Sequence, residues 1–201
     1  MAGVRQFNED KAFEKALALF WEKGFEQTTM QELAAVTGVQ RGSLYNAYQG
    51  KETFFLRVFD VYRERFLEQI RLSLDKPVLR DALSHFFDYI IDSMMTGTPT
   101  RGCLSTKIAL GGDVIDEPIR MALQGMLNGL EAILAARFTH AEKEAGLMIA
   151  PEQAARLVVT FTRGLVVIER VYQDKARLRA TADMLLALLF GVAARSRAGR
   201  A

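Results

Sequence analysis

The chain has 201 residues, about half of them hydrophobic, which is material for a buried core in one large domain or in a small domain with a larger one attached. Nowhere do apolar residues run uninterrupted for the roughly 18 to 20 positions of a membrane span, and Met1 to Asp10 lacks the apolar run of a signal peptide, so the expected protein is soluble and cytoplasmic, with no membrane partner. Cys103 is the single cysteine and the formal net charge is +2, which excludes an intrachain disulfide and a four-thiolate zinc site and gives no bulk-charge sign of a nucleic-acid binder.

The first predicted element is a helix in which Phe13, Ala16, Leu17 and Phe20 recur at three- and four-residue spacing, with Lys11, Glu14, Lys15 and Glu22 mostly between them and Gly24 as a stop. Thr29 stands three residues before Glu32, which is capping-box spacing. Met30, Leu33, Ala34 and Thr37 then give a second helix one short apolar face before Gly38 ends it. A third short helix begins near Gln40, turns Leu44 and Tyr48 inward and is broken by Gln49 and Gly50. So few residues join the second helix to the third that the two must cross steeply. Ala34 is small where they touch, Gly38 suits a turn of positive φ, and Val39 and Leu44 seal the turn from beneath. An alanine, a glycine at plus four and aliphatics at plus five and plus ten make the helix-turn-helix spacing, which a plain αα-corner shares.

The outward face of the third helix separates the two. With Leu44 and Tyr48 buried, Gln40, Arg41, Ser43, Tyr45 and Asn46 are left outside, and each can hydrogen-bond to a phosphate or a base edge. Gly42 allows a close backbone approach, Lys51 can meet a phosphate as a point charge, and free backbone N–H groups are expected at Thr28 and Thr29. Charge does not carry this assignment. Residues 1–52 hold Arg5, Lys11, Lys15, Lys23, Arg41 and Lys51 against Glu9, Asp10, Glu14, Glu22, Glu26, Glu32 and Glu52.

The runs Ala16 to Gly24, Gly24-Phe25-Glu26-Gln27-Thr28-Thr29-Met30, Glu32-Leu33-Ala34-Ala35-Val36-Thr37-Gly38-Val39, Arg41-Gly42-Ser43-Leu44-Tyr45-Asn46-Ala47-Tyr48 and Gly50-Lys51-Glu52 resemble the DNA-binding domain of the TetR/AcrR repressor family. The family's usual phenylalanine at the end of the third helix is Tyr48 here. The resemblance implies that Gln40, Arg41, Gly42, Ser43, Tyr45 and Asn46 face double-stranded operator DNA and that Thr29 and Lys51 hold phosphates.

Beyond it, residues 52–74 read as one long helix with a stripe of Phe54, Phe55, Val58, Phe59, Tyr62, Phe66 and Ile70. Pro77, at a first-turn position, opens a helix through Met95 that buries Leu83, Phe86, Phe87, Ile90, Ile91 and Met94. Residues 96–102 read as a loop, and a short helix from about Cys103 to Leu110 ends at Gly111-Gly112. Asp116 caps the next helix and Ala150-Pro151 opens another. No segment alternates as a strand does. The expected fold is all-α with about nine helices, a helix-turn-helix domain at 1–52 and a helical ligand-binding and dimerisation domain at 53–201.

Two late helices are apolar on more than one side. In residues 154–173, Leu157, Phe161, Leu165, Ile168 and Tyr172 form one face and Val159 and Val166 another. From 181 to 194, Leu185, Leu186, Leu188, Leu189, Phe190 and Val192 occupy almost every turn. Burial on two sides suggests a core plus an interface, hence a homodimer, and the resemblance adds that such helices form a four-helix bundle across a two-fold axis. A small hydrophobic ligand is the expected effector, with Phe86, Phe87, Tyr89, Ile90, Met94, Leu104, Met121, Met126 and Phe161 as candidate contacts, each of which also fits plain core. Cys103, at a helix start beside Arg101 and near Lys107, is either a reactive thiol or a packing residue. No cofactor or metal is expected, since His85 and His140 are isolated, and no catalytic constellation is present. The rival is a helical protein-interaction or adaptor bundle without DNA binding.

Overall fold

A computed structural model describes residues 7–112 and 115–191, with the backbone alone for 142–145. The described residues form nine helices and no strand: α1 (Glu9–Lys23), α2 (Met30–Thr37), α3 (Arg41–Tyr48), α4 (Lys51–Ser73), α5 (Leu79–Met94), α6 (Leu104–Ala109), α7 (Glu117–Ala145), α8 (Pro151–Tyr172) and α9 (Lys175–Leu189). None of them is long and apolar enough to cross a membrane. They gather into two compact units, Met1–Leu67 with Cys103–Met126, and Glu68–Gly102 with Leu127–Ala201. The first unit thus joins α6 and the start of α7 to the N-terminal helices.

Local signals set the ends of the first helices. The Asn8 side chain accepts from the Lys11 N–H at 3.0 Å, Glu9 and Asp10 occupy the first turn of α1 and Lys23 its last, and Gly24 closes it at φ +82°. In the first unit α1, α3 and α4 enclose an aromatic core. Phe20 meets Phe55 edge-on at 5.0 Å, Phe25 lies 5.1 Å from Phe55, and Phe54 joins Tyr48 at 4.7 Å to Phe13 at 5.8 Å. Such pairs contribute ~0.5 to 1.5 kcal/mol each beyond burial. The Lys107 ammonium donates to the carbonyls of Trp21 at 2.8 Å and Glu22 at 2.6 Å, so a cation from α6 caps the C-terminal end of α1.

The second unit packs α5 against α8 and α9. Leu83, Phe86, Phe87 and Ile91 of α5 are buried, as are Val158, Leu165 and Val166 of α8 and Leu178, Leu185, Leu186 and Leu189 of α9. Arg179 of α9 donates to the Ser84 carbonyl at 2.9 Å and pairs with Asp88, which fixes the register of α9 on α5. Glu169 of α8 is fully buried and accepts from the Thr100 hydroxyl at 2.5 Å, while Arg170 donates to the Thr100 carbonyl at 2.8 Å. Both tie the 96–102 loop to α8.

Three expectations change. Pro77 lies ahead of α5, which begins at Leu79 after Val78. The last helix starts earlier than residue 181, because the Asp174 carboxylate accepts from the Arg177 N–H at 3.0 Å and nucleates a polar first turn. It ends at Leu189, before Gly191 at φ +73°, and Val192 to Ala194 lie outside the described residues. On α8 the inward face is Ala154, Ala155, Val158, Val159, Thr162, Leu165, Val166 and Glu169, so Leu165 is buried with Val159 and Val166, while Leu157, Ile168 and Tyr172, expected to share its face, are exposed. A helix with two apolar stripes buries only one within its own unit.

Candidate functional site

The α2–α3 pair is built on four residues. Leu33 and Leu44 are fully buried and Val39 nearly so, and Gly38 sits at φ +72°, ψ 16°, with its N–H on the Ala34 carbonyl at 3.0 Å. That left-handed residue turns the chain from α2 into α3. Each buried leucine contributes ~1.5 to 3 kcal/mol to this scaffold. Tyr48 is buried too, and its hydroxyl donates to the Glu9 carboxylate, tying the end of α3 to the start of α1.

With Leu44 and Tyr48 turned inward, Gln40, Arg41, Gly42, Tyr45 and Asn46 are exposed and Ser43 half-buried. Tyr45 is 57% exposed, a large ring held outside a well-packed helix. The structure therefore brings the expected α3 set together on one open face, with donors, acceptors, one guanidinium and one aromatic ring available to a groove.

The flanking contacts are more committed than their sequence suggested. Thr29 is the N-cap of α2 and belongs to a complete capping box: its hydroxyl accepts from the Glu32 N–H at 3.2 Å and its own N–H donates to Glu32 Oε2 at 2.9 Å. The Thr28 N–H donates to the Phe25 carbonyl at 3.2 Å and its hydroxyl to the Gly24 carbonyl at 2.7 Å. Neither N–H is free, contrary to expectation, because the turn and the capping box consume them. The N–H groups of Met30 and Gln31, the first two helical positions, are the ones that helix geometry leaves without an intrahelical acceptor. Glu32 also pairs with Lys23; that hydrogen bond, then those from the Thr29 N–H and hydroxyl, hold its carboxyl down from 4.5 to about 2. Lys51 Nζ donates to the carbonyls of Phe25 at 3.0 Å and Glu26 at 3.3 Å and lies 4.3 Å from the Phe25 ring centroid. Two of its three N–H bonds thus serve the α1–α2 turn.

The candidate ligand residues are divided between the two units. Phe86, Phe87, Ile90 and Met94 are buried in the second unit, with Phe87 edge-on to the half-buried Phe161 at 5.7 Å. Tyr89 is half-buried there, and burial raises the pKa of its hydroxyl against the opposing charge of Arg101. In the first unit Leu104 and Met126 are buried, whereas Met121 is 61% exposed and faces outward. Cys103 is the N-cap residue of α6, half-buried, with Sγ 3.1 Å from the Ser105 hydroxyl. The described cavities lie elsewhere. One of about 300 Å³ is lined by Lys23 to Gln27 and by Lys107, Ile108 and Ile119; another, of about 940 Å³, lies between the end of α4 and α7. Neither is lined by any of the candidates; helical spacing also describes a core stripe, and the core took Phe86, Phe87, Ile90, Met94, Leu104 and Met126. What the sequence did not reveal is Lys107, whose contacts lie far away along the chain.

The chain is similar to known proteins. The family described as "Bacterial regulatory proteins, tetR family" matches residues 13–58, and that described as "Transcriptional regulator LmrA/YxaF-like, C-terminal domain" matches residues 80–184. The HTH-type transcriptional repressor ComR of Escherichia coli (strain K12) is 31% identical over 99 residues, 48% of this chain and 47% of that protein. The HTH-type transcriptional repressor DhaR of Mycobacterium sp. (strain GP1) is 26% identical over 114 residues, 55% of this chain and 54% of that protein. The chain thus spans about half the length of the curated relatives it matches. Among solved structures, reduced E. coli NemR superposes with a TM-score of 0.82 at 17% identity, covering 90% of this chain and 96% of that one. A cysteine mutant of the TetR family regulator CifR, complexed with 26bp double-strand operator DNA, gives 0.80 at 25% identity, covering 91% and 97%. With its helix-turn-helix segment matched and a second match extending over more than half its length, the chain belongs to the TetR family of bacterial regulatory proteins.

Proposed function

We propose that the protein is a cytoplasmic, homodimeric transcriptional repressor, in which residues 1–52 read a palindromic operator and residues 53–201 bind a ligand and hold the dimer. The observation that carries this is the open face of α3, where Gln40, Arg41, Tyr45 and Asn46 stand exposed on a helix anchored by buried Leu44 and Tyr48. In this reading Asn46 suits the paired edge groups of adenine, Arg41 a guanine or a phosphate, and the Tyr45 ring a thymine methyl; Ser43 hydrogen-bonds nearby and Gly42 lets the backbone approach. Phosphates meet the Met30 and Gln31 N–H groups beyond the Thr29 cap and the remaining N–H of Lys51.

A second copy covers the outer stripe of α8 and α9. Val171 is 70% and Leu188 71% exposed, and Leu157, Ile168, Tyr172 and Met184 lie outside with them, an apolar surface that a partner would remove from water. Two heads on one two-fold axis read successive major grooves about one helical turn apart. An effector that prefers another head spacing releases the operator, with ~1 to 3 kcal/mol of coupling sufficient. It is a small hydrophobic ligand or a reactive species that meets Cys103 at the start of α6. An adaptor bundle without DNA binding would use the α8–α9 surface equally well, yet it gives the α3 face no role.

Mobility-shift titration on the promoter upstream of its own gene tests this. Binding is expected to be sequence-selective and to weaken with added salt, and Arg41→Ala to cost ~1 to 3 kcal/mol of operator affinity. Absence of any salt-sensitive, selective shift overturns the repressor. Operator release by an oxidant that persists in Cys103→Ser removes the thiol from the effector role.

A further inference from the structure

The cavity of about 940 Å³ in the second unit is an open trough between the end of α4, the linker after it and one stripe of α7. On α7, Gly129, Ala132, Ile133, Ala136, Arg137 and His140 line it at three- and four-residue spacing, so they share one face over about 16 Å of helix. The floor is apolar. Ala132 and Ala136 are exposed and small, and across from them Leu72 of α4 is 54% exposed. The edge is cationic: Arg71, Lys76 and Arg137 line it with a single carboxylate, Asp75, among the described residues, and His140 stands beside Arg137 on the same face of α7.

Those cations concentrate at one end. The Arg137 guanidinium donates to the carbonyls of Leu74 at 3.4 Å, Lys76 at 2.7 Å and Pro77 at 3.2 Å, so it brings the 74–77 linker, with Lys76, against the His140 end of the stripe. Arg71 is compensated by Glu68 at 3.2 Å, whereas the partners of Arg137 are neutral carbonyls, which leave its positive charge in place. A trough of this size, apolar along its length and positive at one end, complements a molecule that is apolar along its length and negative at one end.

We propose that this trough binds a free monocarboxylate with an extended aliphatic chain. The tail lies along Leu72, Ala132, Ile133 and Ala136, and the carboxylate accepts from Lys76 or Arg137. The site stands on this geometry whether or not the operator is read as proposed above. Its use as an effector site does rest on that reading, and the two are tested apart.

Isothermal titration of the full chain with dodecanoate, kept below its micelle threshold, is expected to show one molecule bound per chain. Its affinity should be at least about tenfold higher than for dodecyltrimethylammonium, which has the same tail and the opposite head, and at least about tenfold higher than for butyrate, which lacks the tail. Ala136→Trp fills an exposed position of the trough and is expected to weaken dodecanoate binding about tenfold or more. Lys76→Glu, on the solvent-exposed linker, is expected to narrow the preference for dodecanoate over dodecyltrimethylammonium without touching the core. Circular dichroism and the unfolding midpoint confirm that each variant is folded. Equal affinity for both amphiphiles, several dodecanoates per chain, or undiminished binding in both variants overturns the proposal. In a parallel mobility shift, binding that leaves the operator complex intact keeps the trough and removes it as the inducer site.

Discussion

At Gly38 the backbone sits at φ +72°, and a β-carbon built there meets nothing within 4 Å, so an alanine there acts through conformation. Gly38→Ala is expected to destabilise the protein by ~1 to 2 kcal/mol, the cost of a left-handed L-residue. Gly38→Asn should recover part of that, because asparagine tolerates this region. Urea denaturation of the pair checks it, and equal losses would assign the cost to something other than φ. Glu32 gives a pH signature. Its carboxyl is held down to about 2 from 4.5, so the native state favours the ionised form. The stability this supplies is complete above about pH 4.5 and is lost as pH falls toward 2. The difference in urea midpoint between wild type and Glu32→Gln should therefore be constant above pH 4.5 and shrink below it; a gap that does not change with pH would mean the charge contributes nothing.

Among the elements, α6 is six residues long and too short to hold itself, so its position depends on tertiary contacts. Lys107 supplies one by donating to the last carbonyls of α1. Lys107→Met keeps the aliphatic stem and leaves those carbonyls to water; a loss of ~1 to 2 kcal/mol is expected, with protection of the α1 C-terminal amides in hydrogen exchange falling first. The helix-turn-helix was legible because its rules are local: Ala34, Gly38, Val39 and Leu44 fall at fixed spacing, and Thr29 with Glu32 spells its own cap. The α3 face followed, since burying Leu44 and Tyr48 determines what remains outside. Lys107 was not legible, because its partners lie more than eighty residues away. The inward face of α8 was not legible either, since Leu157 and Leu165 are alike in sequence and only packing decides between them. The start of α9 was missed because Leu178 is the one large apolar residue between Lys175 and Arg179, although Asp174 marks the cap.

For the whole molecule, the proposed dimer through the outer stripe of α8 and α9 would make oligomeric state and operator affinity one measurement. Leu188 is 71% exposed, so Leu188→Asp should leave the monomer folded while burying a charge at the proposed interface. Sedimentation is expected to move from dimer to monomer and operator binding to fall with it; an unchanged dimer would place the interface elsewhere. Trp21 makes a related measurement simple. It is the only tryptophan of the chain, it packs edge-on against Tyr62 of α4 at 5.2 Å, and its carbonyl receives the Lys107 ammonium. All the indole emission therefore originates where α1, α4 and α6 converge, so the protein carries a built-in optical reporter. A shift in its spectrum when an effector binds would follow this junction in real time, without label or deconvolution.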